Sequence, residues 1–570
     1  MEDRGRRRAA WAWRGTACLA AAVFLVLCAA AARRETPTID EFAHLPAGCA
    51  YWSQGALTLY CKNPPLLKFW LALPVATDSG VTIPRFSGNP LGWGPWEYGQ
   101  RFMGANRERY FDLFFRARLM VVALGLLTGI LLYAWSRELF GERAAAVAAS
   151  LFFLSPPVLA HSHLATLDAG CMLTVLVACW ALRWACRRGG AGAMALAGAA
   201  LGLAMAVKFT GLLIAPAALI LPALSRREPA VTRRRRLSLW ARDAAILFAV
   251  ALLVVNASLA FRGSLRRLDG YRFHSGFCVG LQRALPGALP VPLPQDYVVG
   301  FDAQKLDTEA GEFSSYLHGE WSPEGWWYYN LVALFLKTPI LVLILAAAGI
   351  VAWKWRGIGA AETWPVVLPC ASLFLFLSVF NRLDVGIRYL LPLFPFLHLA
   401  AGSTLAEPRV PRPGRSRDLL SAVAIALGLV TAITASSDPL AYFNWIAGGS
   451  SRGHEWLLDS NLDWGQDLYR VPNAVARLAP GGPIGLLYCG HVDPSLYGLQ
   501  YAPVPPQPIA GVLAVSVNFV MGMRYLAPAP DGKVAWVKPE HLAWLRSYEP
   551  VARLGSIWIY DTREKRRDTR

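Results

Sequence analysis

Charge is scarce in this chain. Only 16% of its 570 residues are Asp, Glu, Lys or Arg, against roughly 25% in ordinary soluble domains, while 55% are hydrophobic and the mean hydropathy is +0.36. These values exclude a soluble globular protein of this length and place the chain in a bilayer. Acidic residues are the scarcer sign, 38 against 56 basic ones, for a net charge of +18. The excess does not call for a nucleic-acid partner, because the arginines stand in short clusters between apolar runs of about 18 to 22 residues, the pattern of the positive-inside rule. Cysteine is sparse too: none of the ten stands in a Cys-x-x-Cys pair, and most lie in apolar runs as small hydrophobes. Cys49 and Cys61 share one predicted external loop and could pair in an oxidising compartment, though free thiols fit as well. Internal repeats and low-complexity tracts are lacking, which excludes solenoid architectures.

What is there is a ladder of apolar runs, near residues 15–32, 117–136, 144–160, 169–186, 192–207, 211–224, 244–261, 330–352, 364–380, 389–405 and 418–435. They predict an all-α polytopic membrane protein of about eleven transmembrane helices. The start, Arg4 and Arg6–Arg8 before an apolar stretch to Ala32, has the look of a signal peptide. Ala31-Ala32-Arg33-Arg34 is a poor cleavage site, so it reads as the first membrane helix. With that end cytoplasmic, alternation puts Arg137 and Arg143, Arg187 and Arg188, Arg233–Arg236, Lys354 and Arg356, and the basic cluster of 409–417 inside. This requires 192–207 and 211–224 to be two elements rather than one broken helix. The body is residues 1–435, with long external loops at about 33–116 and 262–329, and residues 436–570 fall outside as a small α/β domain. That domain shows a β-branched run near 511–517, a helical His541–Arg546 and an alternating strand from Val551 to Tyr560. The aromatics of Trp93-Gly-Pro-Trp96 and of the stretch from Glu320 to Tyr329 read as interfacial anchors or sugar-stacking surfaces.

Ionisable residues at helix ends are costly in a bilayer and carry functional hypotheses. Asp40 and Glu41 follow the first run, Asp168 opens the fourth, Lys208 ends the fifth, Lys337 lies about two turns into the eighth, and Arg388 starts the tenth. The topology set by the basic loops alone places all of them at one, outer face. Two carboxylates and several cations at one face fit transfer of a sugar from a polyprenyl phosphate. A carboxylate takes the proton of the attacking hydroxyl, and fixed cations hold the departing phosphate. Asp40 is the expected base, with Asp168 orienting the acceptor or sharing the proton. Lys208, Lys337 and Arg388 are the expected phosphate ligands.

Asp40-Glu41-Phe-Ala-His44-Leu-Pro-Ala-Gly, then Asn63-Pro-Pro-Leu-Leu-Lys68 and Asp168, resemble glycosyltransferase family 39, the protein O-mannosyltransferases and the bacterial aminoarabinose transferases. The resemblance, covering residues up to about 435, implies a C-type glycosyltransferase fold, a catalytic acidic motif in the first external loop and a polyprenyl-phosphate-sugar donor. It carries Asp40 to the base position, Glu41 to its acidic neighbour and Asp168 to the second acidic position. Aminoarabinose transferases have an acidic residue and a lysine where this chain has Lys62-Asn63, which leaves Lys62 or Lys68 to supply positive charge. No cofactor or metal is therefore expected, with Glu41, His161 and His163 the only candidates for gathering a cation. His44, His163, Tyr389 and Trp464 are the expected acceptor or sugar contacts. The expected reaction is transfer with inversion to a glycan, lipid or protein hydroxyl at the extracytoplasmic face of a bacterial inner or cell membrane. The alternative from another class is a multi-pass transporter or flippase, which would show midplane charges and internal repeats.

The tail adds Asp459-Ser-Asn461-Leu-Asp463-Trp464-Gly465-Gln466-Asp467. Asp459, Asn461, Asp463 and Asp467 have the spacing of a calcium loop, but the glycine falls one place late and Arg470 stands where a bidentate Glu belongs. A carbohydrate-contacting loop around Trp464 and a plain Asx-rich turn are the other readings.

Overall fold

The structure is a computed structural model that describes residues 2–87, 94–225, 232–310, 314–355, 358–406, 415–479, 482–528 and 534–563. Trp93 and most of the predicted basic cluster at 409–417 lie outside these residues, as do Arg356 and the side chain of Lys354. The helices of the body are α1 (Glu2–Arg34), α2 (Ile39–Gln54), α3 (Leu66–Ala76), α4 (Gly94–Ala105), α5 (Tyr110–Phe140), α6 (Glu142–Phe153), α7 (Pro156–Ser162), α8 (Asp168–Arg188), α9 (Ala191–Val207), α10 (Ala215–Ser225) and α11 (Arg233–Ser258). They continue as α12 (Gly276–Ala284), α13 (Gln295–Ala310), α14 (Tyr329–Lys337), α15 (Ile340–Trp355), α16 (Ala360–Val379), α17 (Phe394–Thr404) and α18 (Arg415–Ala435). The predicted apolar runs fall on these helices or on a bent pair of them, except that 211–224 and 389–405 each begin in a 3₁₀ segment, Phe209–Ile214 and Ile387–Leu393.

Among the described residues six helices are long and apolar enough to cross a membrane, and up to eight elements if each of two bent pairs counts as one. One pair, α6 and α7, bends by 61° at Ser155-Pro156, and the other, α14 and α15, by 112° at Thr338-Pro339. The second bend corrects the expected straight eighth helix. Proline disfavours helical backbone in the residue before it, so the helix ends at Lys337, and α15 leaves in a new direction.

Ion pairs sort the helix ends. Arg183 and Arg187 near the end of α8 meet Glu138 near the end of α5 and Glu362 at the start of α16. Arg143 at the start of α6 meets Asp418 near the start of α18, and Arg14 on α1 meets Glu142. These groups mark one end of the bundle, and Asp168, at the other end of α8, marks the opposite end. Helices α9 and α11 run side by side in the same direction, Gly198 against Leu247 and Gly202 against Ala251, with no room for a Cβ on either glycine. Two consecutive parallel helices require the chain between them to return across the bundle, so 192–207 and 211–224 are two elements, not one broken helix.

The first of the two long loops predicted to be external folds into α2, α3 and α4, and the second into α12, α13 and a hairpin of β1 (Ser315–Leu317) and β2 (Glu320–Ser322). In the tail, β3 (Ile484–Leu487), β4 (Tyr501–Pro503) and β5 (Val512–Ser516) belong to one mixed sheet. A separate two-stranded ribbon pairs β6 (Tyr525–Pro528) with β7 (Val534–Val537). The larger sheet is completed by β8 (Ala552–Leu554) and β9 (Ile557–Asp561) in the order β4-β3-β5-β9-β8. The helix α19 (Val471–Leu478) covers its core of Ile484, Leu486, Val512, Ala514, Ile557 and Ile559. Two expectations are corrected here. The single strand from 551 to 560 is a hairpin, because Gly555, at φ +66°, takes the left-handed conformation and turns the chain. The helix at 541–546 is a longer 3₁₀ segment, Pro539–Ser547.

Residues 436–470 do not join the sheet. They lie on the body, with Thr36 N–H donating to Gln466 O, Ile39 N–H to Trp464 O, Ile387 N–H to Asn461 Oδ1, and Ser460 Oγ to Val385 O. The ten cysteines, Cys49 and Cys61 among them, are free thiols.

Candidate active site

Two carboxylate–cation pairs stand at the end of the bundle away from the Arg183 and Arg187 cluster. Asp40, in the first turn of α2, accepts from Arg388 Nη1 at 2.6 Å. Asp168, the first residue of α8, accepts from Lys208 Nζ at 2.5 Å and from Thr166 Oγ1 at 3.2 Å. An acid at a helix start and a cation just past a helix end are each favoured by the helix dipole. Lys208 follows α9 in extended backbone, which lets its side chain reach back to Asp168. Tyr389 ties the pairs together: the Lys208 ammonium lies 4.7 Å and the Arg388 guanidinium 5.3 Å from its ring centre. Arg388 also stacks on Trp464 at 4.4 Å, and its Nε, buried, has no hydrogen-bond partner among the described residues. The side chain of Asp40 is 23% exposed and that of Asp168 2%, so Asp40 is the carboxylate a substrate can reach.

Neutral imidazoles line the same region. His44 stacks on Tyr60 at 5.3 Å with Nδ1 unpartnered, and burial pushes it down to about 4 against the pull of Asp40. His161 is buried with both ring nitrogens unpartnered and meets Trp464 edge-on at 6.3 Å. His491, from the tail, packs against Phe42 and Trp96 and is likewise pushed down by burial to about 4.

The structure therefore gathers Asp40, Asp168, Lys208, Arg388, His44, Tyr389 and Trp464. It does not gather the other expected site residues, whose polar atoms are committed elsewhere. Glu41 Oε1 accepts from Arg118 Nε and Ala165 N–H, and Oε2 from Arg118 Nη2, Thr38 N–H and Thr38 Oγ1, all within 3.0 Å. No oxygen is left for a substrate, and Glu41 braces the entry of α2 in a capping box. His163 is held between Leu159 O at 2.7 Å and Glu35 Oε2 at 2.8 Å. Neither can join His161 around a cation. Lys68 is fully buried and donates to the carbonyls of Tyr60, Lys62 and Asn63, which converge because Asn63 adopts φ +63°. Lys62 pairs with Asp307 at 2.7 Å. Lys337 donates to Leu440 O and Asn461 O beneath Phe443, fastening the tail to α14.

The calcium reading of the tail is also corrected. Asp463 Oδ1 accepts from Ser556 Oγ and Gly465 N–H, Asp467 from Arg470 and Ser556 N–H, and Asn461 bonds Tyr329 and Ile387. Each side chain has a different set of partners, and among the described residues no three His, Cys, Asp or Glu side chains are grouped to hold a metal.

Two charged residues escaped the sequence reading, Arg118 and Glu35. Each carried a visible signal, a charge at the edge of an apolar run. The role of the 459–467 segment carried none, since its partners lie far away in the chain.

A family model described as dolichyl-phosphate-mannose-protein mannosyltransferase matches residues 111–259, in agreement with the resemblance read from the sequence. The matched segment contains Asp168 and Lys208, while Asp40, Arg388 and the tail lie outside it. Among solved structures, the chain is similar to ArnT from Cupriavidus metallidurans bound to undecaprenyl phosphate, at 15% identity over 96% of this chain and 98% of that one, TM-score 0.47. The apo state of the same protein gives 16% identity over 97% and 98%, TM-score 0.47. The oligosaccharyltransferase AglB from Archaeoglobus fulgidus, in complex with an inhibitory peptide and a dolichol-phosphate, gives 13% identity over 93% and 74%, TM-score 0.45. No curated protein matches the chain.

Proposed function

We propose that the protein transfers a sugar from a polyprenyl-phosphate donor to an acceptor hydroxyl at the extracytoplasmic face of the membrane, with inversion, and that Asp40 is the base. The observation that carries this reading is the Asp40–Arg388 pair beside the Asp168–Lys208 pair, with Tyr389 under both cations. In the ground state Arg388 holds Asp40 in an ion pair and so weakens it as a base. A donor phosphate drawn to the unpartnered Nε of Arg388 competes with Asp40 for that guanidinium and frees the carboxylate. Asp40 then takes the hydroxyl proton as the acceptor oxygen bonds to the anomeric carbon. The bond from that carbon to the phosphate oxygen breaks on the opposite side, and polyprenyl phosphate leaves with the electron pair, held by Arg388 and Lys208. Asp168 keeps Lys208 in place. His44 and His161, neutral, offer hydrogen bonds to sugar hydroxyls.

We further infer a C-type glycosyltransferase fold of about eleven crossings, with the N-terminus cytoplasmic and residues 436–570 outside. The separation of the basic helix ends from the paired carboxylates supports this orientation. Purified protein in vesicles, given a panel of polyprenyl-phosphate sugars, tests the reading through release of polyprenyl phosphate. Asp40→Asn is expected to lower kcat by about 10²-fold or more. Full transfer by that variant would remove Asp40 from the base role.

A further inference from the structure

The three aspartates of the 459–467 segment differ in their surroundings. Asp463 and Asp467 are at most 1% exposed, and Asp467 is paired with Arg470. Asp459 is half-buried, and its carboxylate accepts only from the adjacent Ser460 N–H among the hydrogen bonds of the described residues. It also adopts φ +57°, a left-handed conformation uncommon outside glycine but open to Asp and Asn, and its neighbours hold it there. The enforcement is visible. Asn518 Oδ1 accepts from Asp459 N–H while Asn518 Nδ2 donates to Asp463 O. Ser460 Oγ donates to Val385 O, three residues before Arg388, where Gly386 leaves it room. The charges bearing on the Asp459 carboxylate are Arg388 and Asp40, and Arg388 in turn is acted on by Asp40, Asp168 and Asp459.

We propose that Asp459 is a third carboxylate of the active site, supplied by the C-terminal segment, and that it binds the acceptor by accepting a hydrogen bond from an acceptor hydroxyl or amine. The tail is then part of the transferase site, and acceptor choice is set in part by a residue beyond the membrane body. Its neighbours are committed elsewhere, Asp463 to Ser556 and Gly465 and Asp467 to Arg470 and Ser556. Because burial pushes Asp459 up to about 6, against the pull of Arg388, the acceptor-binding form fills as pH rises through 6.

The inference rests on the glycosyltransferase reading above, and the two fail separately. Wild-type protein that turns over no polyprenyl-phosphate sugar refutes that reading. With an active wild type, kinetics are measured with donor and acceptor varied in turn for Asp459→Asn and Asp459→Gly. Both replacements suit left-handed backbone. The expected result is an acceptor KM raised tenfold or more, a donor KM within twofold of wild type, and loss of the acidic limb near pH 6 in kcat/KM for acceptor. An acceptor KM within twofold of wild type in both variants overturns the proposal. So does a collapse of the thermal transition in both, which would assign Asp459 to the fold.

Discussion

Replacing Glu41 separates a structural acid from a catalytic one. Glu41 and Arg118 are 0% and 1% exposed and face each other through two charge-assisted bonds of 2.7 Å. Glu41→Gln keeps the shape and an oxygen for Ala165 N–H, but sets an amide NH₂ where a carboxylate oxygen met Arg118. Arg118 keeps the carbonyls of Ala32, Glu35 and Thr36, yet its buried charge loses its paired carboxylate and keeps only the more distant pull of Glu35, which His163 already engages. Breaking one side of a buried pair costs about 3–5 kcal/mol. At about 2 °C per kcal/mol for a large domain, the thermal midpoint falls by roughly 6–10 °C. The assay is thermal unfolding of detergent-solubilised protein beside sugar transfer measured well below the midpoint, where kcat should stay within tenfold of wild type. Acid titration adds a sign. Burial alone would raise the Glu41 carboxyl, but Arg118 and the N–H groups of Thr38 and Ala165 outweigh it and hold it below the ordinary glutamate value. Its stabilisation is therefore present above that value and lost as pH falls below it, and Glu41→Gln should flatten this loss. An unchanged midpoint with kcat lowered a hundredfold would refute the brace and return Glu41 to the chemistry.

Two further outcomes follow from the same geometry. Burial pushes Asp463 and Asp384 up to about 7. A carboxyl raised above its unfolded value stabilises the fold at low pH and loses that contribution as pH rises through the folded value. The thermal midpoint should thus fall from about pH 5 to about pH 7 and level off above, with a shallower slope in Asp463→Asn, and a midpoint that rises over this window would refute the argument. Lys337→Met removes the ammonium shared by Leu440 O and Asn461 O, leaving two buried carbonyls unsatisfied at about 1–3 kcal/mol each. The variant should show a lowered midpoint and faster proteolysis of the tail. Unchanged stability with a raised donor KM would show instead that Lys337 binds phosphate.

The helical body was legible because span length and charge asymmetry are properties of a local window. Even its main error had a local sign, Pro339 after Lys337, which ends a helix whatever the hydropathy of the run. Gly555, likewise, was the turn inside an apparently continuous strand. The site was legible only as a set of residue types at one face, since their division between chemistry and structure depends on partners far along the chain. Asp40 and Glu41 are adjacent acids in one helical turn, and consecutive side chains on a helix point about 100° apart. Asp40 consequently meets Arg388, 348 residues away, and keeps some exposure, while Glu41 meets Arg118, 77 residues away, and is sealed. The same division separates Asp459 from Asp463 and Asp467. In both places the residue proposed to act on a substrate is the one left with solvent contact rather than the one with the richest hydrogen bonding, because saturated hydrogen-bonding capacity leaves nothing with which to bind one.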